Sequence, residues 1–436
     1  MSQYRAYPAY KDSGVEWIGQ VPEHWEVKPI CRVTSVNDDV LPDSTTDDTL
    51  IRYVDISSVG YMEGIKQASD MCFVDAPSRA RRKASSGDVI ISTVRTYLKA
   101  VAAVTDEYAD CVFSTGFAVL RARHLDRSFL RWMVLNELLI QAIEAHSEGL
   151  SYPAINASAL VKLKSVIPPP EEQAAIAATL DRETARIDAL IEKKTRFIEL
   201  LKEKRQTLIT HAVTKGLDLH VKVKDSGVEW IGQVPEHWEV KPICRVTSVN
   251  DDVLPDSTTD DTLIRYVDIS SVGYMEGIKQ ASDMCFVDAP SRARRKASSG
   301  DVIISTVRTY LKAVAAVTDE YADCVFSTGF AVLRARHLDR SFLRWMVLNE
   351  LLIQAIEAHS EGLSYPAINA SALVKLKSVI PPPEEQAAIA ATLDRETARI
   401  DALIGKAEQS ITLLKERRAA FITAAVTGQI DLRGKQ

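Results

Sequence analysis

A short basic segment carries the side chains best suited to chemistry in this chain. Between Arg79 and Lys99 there are six basic side chains and one acid, Asp88, although the whole chain has a net charge of −6. Such clusters attract phosphates, and arginine can also pair bidentately with guanine in the major groove. We predict contacts in a DNA groove for Arg95 and Lys99, and phosphate contacts for residues 79–83; a solvated basic turn is the alternative. The candidates are Arg79, Arg81, Arg82, Lys83, Arg95, Tyr97 and Lys99.

A polar turn supplies a second candidate set. Ser151, Tyr152 and Asn156 lie in the segment LSYPAIN, residues 150–156. Asparagine and tyrosine can meet adenine edges or the DNA backbone. The same turn can instead lock a domain onto a neighbouring helix, and we favour that structural interpretation here.

Sequence motifs of catalysis are absent. There is no GxxxxGK[ST] phosphate loop, and the eight histidines show no spacing typical of zinc sites. The pairs Asp38-Asp39 and Asp47-Asp48 lie in polar turns without the Glu-x-Lys arrangement of a metal-dependent nuclease. We therefore expect no catalytic residue, no metal site and no cofactor in this chain.

Every candidate occurs twice, because the chain contains a duplication. Lys11–Ile191 recurs letter for letter as Lys224–Ile404, and the tails 192–223 and 405–436 have diverged. A period this long indicates a duplicated domain rather than a solenoid of short units. Two independent domains on one chain are the simpler interpretation. The more specific interpretation is a pseudo-symmetric molecule that binds a symmetric target. The second candidate set is Arg292, Arg294, Arg295, Lys296, Arg308, Tyr310, Lys312, Ser364, Tyr365 and Asn369.

Composition indicates a globular protein of the cytoplasm. The chain is 46% hydrophobic and 26% charged, and no apolar run approaches the ~18–20 residues of a membrane span. The N-terminus has no apolar signal-peptide core. Three cysteines per copy are scattered singly, which fits a reducing compartment and argues against zinc or disulfides. We expect no membrane association.

The elements around the candidates predict an α+β domain in each half. Alternating segments rich in β-branched residues predict strands at 50–57, 88–94, 98–104, 112–121 and 160–167. Residues 125–145 have an apolar side and predict one helix. Trp17 and Trp25 in the opening segment are expected in the core or at a partner contact.

A long helix is predicted to follow each domain. From Pro170 to about Thr214 the chain has no further proline or glycine, and apolar residues recur at heptad positions. The second half repeats this pattern from Pro383 to about Thr427. We predict that the helices pair antiparallel; packing of each helix on its own domain alone is the alternative. The predicted coiled-coil residues are Leu180, Ile187, Ile191, Ile198, Leu201, Leu208, Leu393, Ile400, Ile404, Ile411, Leu414 and Phe421.

These motifs together resemble the specificity subunit of type I restriction–modification systems. The resemblance is carried by KDSGVEWIGQVPEHWEV, GDVIIS, SYPAIN leading to IPPPEEQAAIAATLD, and RIDALIEKK in the helix. They occur in the order of that family, twice, and cover essentially the whole chain. No single motif is decisive, but the ordered combination is specific.

The resemblance implies an architecture and a set of partners. Two α/β target-recognition domains, 1–168 and 224–381, would be separated by two conserved helical spacers, 169–223 and 382–436, that form an antiparallel coiled coil with pseudo-two-fold symmetry. The subunit would bind double-stranded DNA, two methyltransferase subunits and, for cleavage, restriction/translocase subunits. S-adenosylmethionine, ATP and Mg²⁺ would belong to those partners.

The chain departs from the usual family pattern in having identical recognition domains. Identical domains related by a two-fold axis should require the same half-site on opposite strands, which makes an interrupted palindrome. The Asn-Pro-Pro-aromatic motif and Gly-rich loop of the associated methyltransferases are absent. Two alternatives stay open: a specificity subunit for a fused methyltransferase–nuclease, or a coiled-coil adaptor that binds protein.

Overall fold

The computed structural model describes residues 4–433 and divides the chain into two compact units. The first unit contains the chain up to Lys194 and again from Gln409 onward, and the second contains Thr195–Glu408. Each unit therefore holds one strand-rich domain, the first part of one long helix and the last part of the other.

The first copy of the domain contains fourteen short strands and three short helices. The strands are β1 Tyr10–Asp12, β2 Gln20–Pro22, β3 Glu26–Pro29, β4 Thr34–Val36, β5 Leu50–Val54, β6 Val59–Gly60, β7 Gly64–Ile65, β8 Ser69–Cys72, β9 Ala80–Lys83, β10 Val89–Ser92, β11 Val101–Ala103, β12 Val112–Ser114, β13 Phe117–Ala122 and β14 Lys164–Ile167. The helices are α1 Arg127–Val134, α2 Glu137–Ala145 and α3 Ala157–Leu160, and the long helix α4 follows at Pro170–Lys215.

The second copy repeats these elements. Its strands are β15 Val223–Asp225, β16 Gln233–Pro235, β17 Glu239–Pro242, β18 Thr247–Val249, β19 Leu263–Val267, β20 Val272–Gly273, β21 Gly277–Ile278, β22 Ser282–Cys285, β23 Ala293–Lys296, β24 Val302–Ser305, β25 Val314–Ala316, β26 Val325–Ser327, β27 Phe330–Ala335 and β28 Lys377–Ile380. Its helices are α5 Arg340–Val347, α6 Glu350–Ala358, α7 Ala370–Leu373 and the long helix α8 Pro383–Val426.

Two four-stranded sheets form the centre of each domain. In the first copy their strand orders are β11-β10-β13-β4 and β8-β5-β12-β9, and only β5 and β12 pair in parallel. All four residues of β10 are buried, because successive side chains point to opposite covered faces. Val89 and Ile91 join the core with α1 and α2, whereas Ile90 joins Val54 and Phe113 of the other sheet.

The structure corrects the prediction of one helix at 125–145. Two helices form there, because Leu135 ends α1 and Asn136 caps α2 by accepting the Leu138 N–H at 3.1 Å. A side-chain oxygen at this position satisfies an amide that has no partner within the helix. The amphipathic pattern gave the right residues for the core but missed the break.

The predicted strand 112–121 is also two strands, β12 and β13, which lie in different sheets. The turn between them requires a glycine, since a Cβ at Gly116 would lie 2.6 Å from Cδ1 of Ile56. The other predicted strands are shorter than expected, because 3₁₀ turns at 56–58 and 96–98 and helix α3 take part of their length. Residues 80–83 of the basic segment, for which a solvated turn was the alternative, form strand β9, which precedes β10.

The long helices pair antiparallel within each unit, as predicted. In the first unit Leu180 near the start of α4 shares a core with Ile422 near the end of α8, and farther along α4 Asp188 pairs with Arg418. In the second unit the end of α4 shares a core with the start of α8, and Arg205 pairs with Asp401. Residue numbers rise along one helix as they fall along the other.

The predicted coiled-coil residues are all covered to some degree. Those that are buried are Leu180, Ile187, Ile198, Leu201, Leu393, Ile400, Ile404 and Phe421. Those that are half-buried are Ile191, Leu208, Ile411 and Leu414.

Among residues 4–433, no helix is both long and apolar enough to cross a membrane.

Candidate nucleic-acid interface

The basic strand β9 lies at the edge of a sheet, and its three cations and the preceding Arg79 have different surroundings. Arg79, just before it, donates to Tyr53 Oη at 3.1 Å and pairs with Asp55 at 3.2 Å. These contacts raise the pKa of the Arg79 guanidinium. Lys83 donates to the Asp110 carbonyl at 2.9 Å. Both side chains are therefore occupied within the domain.

Arg81 and Arg82 have no acidic partner among the described residues. The Arg81 guanidinium lies 4.8 Å from the centroid of the Phe73 ring. The Nε of Arg82 is buried without a hydrogen-bond partner, and burial lowers the pKa of this guanidinium below its ordinary value. A buried donor without a partner costs about 1–3 kcal/mol. Arg82 is thus a partly buried cation whose Nε has no acceptor among residues 4–433.

The second copy repeats these environments. Arg292 bonds Tyr266 at 3.1 Å and Asp268 at 3.3 Å, and Lys296 donates to the Asp323 carbonyl at 3.0 Å. Arg294 stacks on a phenylalanine ring at 4.7 Å, and the Nε of Arg295 is again buried without a partner. The unsatisfied guanidinium is therefore a feature of the sequence, present in both copies.

Arg295 lies at an open cleft of about 440 Å³ in the second unit. The cleft brings Arg295 together with Asn369 of the SYPAIN turn, although 74 positions separate them in the sequence. Its other polar walls are Asn250, Thr306, Thr328 and Glu361. The arrangement offers a cation, amides and hydroxyls beside one carboxylate on a concave surface, which suits a polar ligand that can accept hydrogen bonds from the arginine and the amides.

Two of these polar groups are fixed by the backbone around them. Asn250 adopts a left-handed conformation with φ of 58°, and its Oδ1 accepts the Val332 N–H at 2.9 Å. Thr306 donates to the Gly329 carbonyl at 3.0 Å. Sequence analysis missed Asn250, Thr306 and Thr328, since single polar residues in turns give no distinguishing signal.

Arg95 is held at the tip of an exposed loop. Its φ of 51° is uncommon for a residue with a side chain, and its guanidinium lies 5.2 Å from the Tyr152 ring centroid. Tyr97 is 53% exposed and Tyr152 65% exposed. The first copy thus joins the two candidate sets into one surface of arginine and aromatic rings. Arg308, Tyr310 and Tyr365 repeat it in the second copy, with the same 5.2 Å separation of Arg308 from the Tyr365 ring centroid.

Backbone hydrogen bonds tie this loop to the polar turn. The Ile155 N–H donates to the Thr93 carbonyl at 2.8 Å, and the Thr96 N–H donates to the Pro153 carbonyl at 3.3 Å. Ser151 and Asn156 are exposed, and Asn156 precedes α3 without a side-chain capping bond. The turn is therefore bonded to the loop after β10 of its own domain, while Ser151, Asn156 and their equivalents Ser364 and Asn369 keep accessible polar groups. Its role in locking the domain onto a helix stays a prediction.

Lys99 does not extend into solvent beside Arg95, as a groove contact would require. Its Nζ lies 2.8 Å from Glu137 and 3.9 Å from Glu144, and its pKa is raised by the Glu137 contact. Lys312 pairs in the same way with Glu350 at 2.7 Å. Acids on helix α2 or α6, 38 positions away in sequence, neutralise these lysines. Of the two residues favoured for a groove, only Arg95 keeps its cation free of acidic partners in the described chain.

The one acid of the basic segment is itself neutralised. The side chain of Asp88 is only 5% exposed, and it pairs with Arg121 at 2.8 Å. Arg121 also pairs with Asp39 at 2.7 Å, and these bonds raise its pKa. The loop between β9 and β10 therefore carries no free carboxylate from Asp88.

Among residues 4–433, no cluster of three or more His, Cys, Asp or Glu side chains is placed to hold a metal ion.

Comparisons with known proteins agree with the resemblance seen in the motifs. No protein-family model matches the chain. The chain is 22% identical over 298 residues to the type I restriction enzyme MjaVIII specificity subunit of Methanocaldococcus jannaschii, which covers 67% of this chain and 68% of that one. It is 26% identical over 218 residues to the type I restriction enzyme EcoKI specificity subunit of Escherichia coli (strain K12), covering 46% of this chain and 44% of the relative.

Solved structures show the same fold. A chain from a study of complex assembly and conformational transition of the type I R-M system matches with a TM-score of 0.74 at 24% identity, covering 94% of this chain and 99% of that one. The HsdS subunit from Thermoanaerobacter tengcongensis matches with a TM-score of 0.53 at 24% identity, covering 94% and 98%. In sequence and in fold, the chain is similar to type I specificity subunits.

Proposed function

We propose, on the premise of this similarity, that the chain is the DNA-recognition subunit of a type I restriction–modification complex. It would not catalyse a reaction itself. Methyl transfer would belong to two adenine-methyltransferase subunits that bind S-adenosylmethionine, and cleavage to restriction/translocase subunits that use ATP and Mg²⁺. The absence of cofactor-binding motifs from the sequence supports this division of roles.

The observation that carries the proposal is the duplicated pair of unpaired arginines on concave and exposed surfaces. Arg82 and Arg95 lack acidic partners in the described chain, although acids outnumber bases overall by 59 to 53. An external anion can supply the acceptors that such a guanidinium lacks within the domain. DNA phosphates and guanine edges are such acceptors. Arg295 and Arg308 repeat the arrangement.

The identity of the two copies determines the form of the proposed site. Each recognition domain would select the same short sequence, and the antiparallel helix pairs would present the domains to opposite strands of one duplex. The recognised site would then be an interrupted palindrome with half-sites about one helical turn, ~10 bp, apart. Tyr97 and Tyr152 would contact the sugar–phosphate backbone beside Arg95.

Methylome sequencing of DNA modified by the assembled complex tests the proposal. We expect one half-site, a fixed non-specific gap and the reverse complement of that half-site. Two unlike half-sites, or one contiguous motif, would contradict the symmetric recognition. Inserting four residues after Lys202 and after Lys415 should change the gap and leave the half-site bases unchanged, because ~3.6 residues form one helical turn.

A substitution pair separates base contact from general attraction to DNA. Arg95→Ala with Arg308→Ala should weaken both half-sites equally, by about 1–3 kcal/mol each if they contact bases. Arg95→Ala alone should leave one half-site read normally. Equal loss on random DNA would instead assign these arginines to phosphates. Lys99→Ala is the matched control, because its cation is already paired with Glu137.

A further inference from the structure

The N-terminal segment fills a slot beside the start of helix α4 in the first unit. The Tyr7 side chain is 4% exposed, and its hydroxyl donates to Glu172 Oε2 at 2.9 Å. Trp25 Nε1 donates to the same carboxylate at 3.0 Å, and His24 Nε2 lies 2.7 Å from its other oxygen. The Glu172 side chain is only 6% exposed as a result. Its carboxylate is enclosed by donors.

Further contacts hold the same segment in place. The Asp431 N–H donates to the Arg5 carbonyl at 2.7 Å, and the Tyr4 ring lies 5.4 Å from the Phe421 ring. The Arg433 guanidinium lies 4.8 Å from the Tyr7 ring centroid. Burial raises the pKa of Tyr7, so its hydroxyl remains a donor at neutral pH. The slot thus binds a short extended peptide through one deeply placed tyrosine.

The second unit contains the same acceptor without the tyrosine. Trp238 donates to Glu385 at 2.9 Å, and His237 lies 2.6 Å from it. Within residues 4–433 no tyrosine hydroxyl reaches Glu385, whose side chain is 41% exposed. Residues 216–222 connect α4 to β15 before the second copy, and the position that corresponds to Tyr7 by the 213-residue offset is His220.

A cleft of about 330 Å³ lies at this position in the second unit. Its walls include Pro235, Ile389 and Val221, which are apolar, and Glu385 and His237, which are polar. A tyrosine side chain matches both features, since it combines an apolar ring with a hydroxyl that needs an acceptor. The identical residues His24 and Glu172 bind such a ring in the first unit.

We propose that the cleft beside Glu385 is a docking site for an extended segment of another protein, bound through a tyrosine whose hydroxyl donates to Glu385. A second copy of this chain is the less favourable occupant, because its own N-terminal segment already fills its own slot. Exchange of that segment would create no additional contact. The site is separate from the arginine surfaces and does not depend on DNA recognition.

A synthetic heptapeptide with the sequence of residues 4–10, Tyr-Arg-Ala-Tyr-Pro-Ala-Tyr, provides the probe. Titrated into the full-length chain by calorimetry, it should bind at one site. Replacing its second tyrosine by phenylalanine should weaken binding about 10- to 100-fold, because a hydrogen bond to a charged acceptor is lost. Absence of saturable binding at millimolar peptide would overturn the proposal, as would equal affinity of the two peptides.

Variants of the chain locate the site. Ala388 is exposed at the cleft, so Ala388→Phe should block binding without disturbing the fold. Glu385→Gln should weaken binding, whereas Glu172→Gln is the matched control and should leave it unchanged. Binding unaffected by Ala388→Phe would overturn the proposal. Self-association of the chain that Ala388→Phe abolishes would overturn the choice of occupant and assign the cleft to a second copy.

Discussion

Replacing Arg82 and Arg295 by methionine separates a DNA-binding role from a structural one. Methionine retains an unbranched apolar stem of similar length and removes the guanidinium. Because the Nε of each arginine is buried without a partner, its removal should relieve an unfavourable contribution of about 1–3 kcal/mol in each copy. The free energy of unfolding should therefore stay constant or rise.

DNA binding should change in the opposite direction. If each guanidinium contacts a base or a phosphate, the double variant should lose about 1–3 kcal/mol per half-site, or roughly 10- to 100-fold for each. Chemical denaturation measures the first quantity, and fluorescence anisotropy with a cognate duplex and the methyltransferase partner measures the second. Salt titration then distinguishes the two, because loss of a phosphate contact lowers the salt dependence of binding, whereas loss of a base contact leaves it largely unchanged.

Arg79→Met with Arg292→Met is the matched control. These arginines lie three positions before Arg82 and Arg295 but are paired with Asp55 and Asp268 on the domain surface. Their loss should lower stability by at most about 1 kcal/mol, the usual contribution of an exposed ion pair. A clear loss of stability in the Arg82 and Arg295 variant, with unchanged DNA affinity, would refute our reasoning and make that guanidinium a structural group.

Three further predictions concern the scaffold. Leu180→Asp should destabilise the first unit by about 3–5 kcal/mol, and by more than Ile187→Asp does. The reason is that Leu180 is fully buried, whereas Ile187 lines an open cleft with arginines. Chemical denaturation of both variants checks this order. Burial alone would raise the pKa of Glu137, because it favours the neutral carboxyl, but the bond from Lys99 and its other contacts outweigh this effect and lower the pKa. The stability that these contacts of ionised Glu137 contribute is therefore present above pH ~4.3 and is lost as the pH falls below it. Lys99→Met should flatten the fall in unfolding free energy between about pH 5 and 3, and an unchanged slope would contradict the assignment. Gly428→Ala should be strongly destabilising, because its φ is 75° and a Cβ would lie 2.3 Å from a proline Cδ; a normal melting temperature would contradict this.

The elements that depend on local pattern could be predicted from the sequence. The heptad spacing of Leu180, Ile187 and Leu201 was enough to identify covered helix positions, because one face of a long helix has a fixed periodicity. The duplication was likewise evident, and with it the equivalence of the two strand-rich domains. The break at Asn136 was not evident from the sequence, because the apolar pattern continues on both sides of this capping residue and only the direction of the chain changes there.

Among the cations of the candidate surface, only the tertiary structure decided which remain free. Arg79 and Lys99 belong to the same basic segment as Arg82 and Arg95, but Asp55 and Glu137 neutralise the first two. Those acids lie 24 and 38 positions away in sequence, and the folding of the chain brings them near. Ion pairing depends on distances of a few ångströms in space.

Contacts between segments distant in sequence also explain why identical residues of the two copies form different sites. His24 and Glu172 have letter-for-letter copies in His237 and Glu385, and yet one carboxylate is enclosed and the other accessible. The sequence determined the two copies of the acceptor. What covers each copy depends on the segment that precedes it, because Tyr7 precedes the first copy and His220 stands at the equivalent position before the second. Contacts between segments distant in sequence decided the rest, and these exist only in the folded molecule.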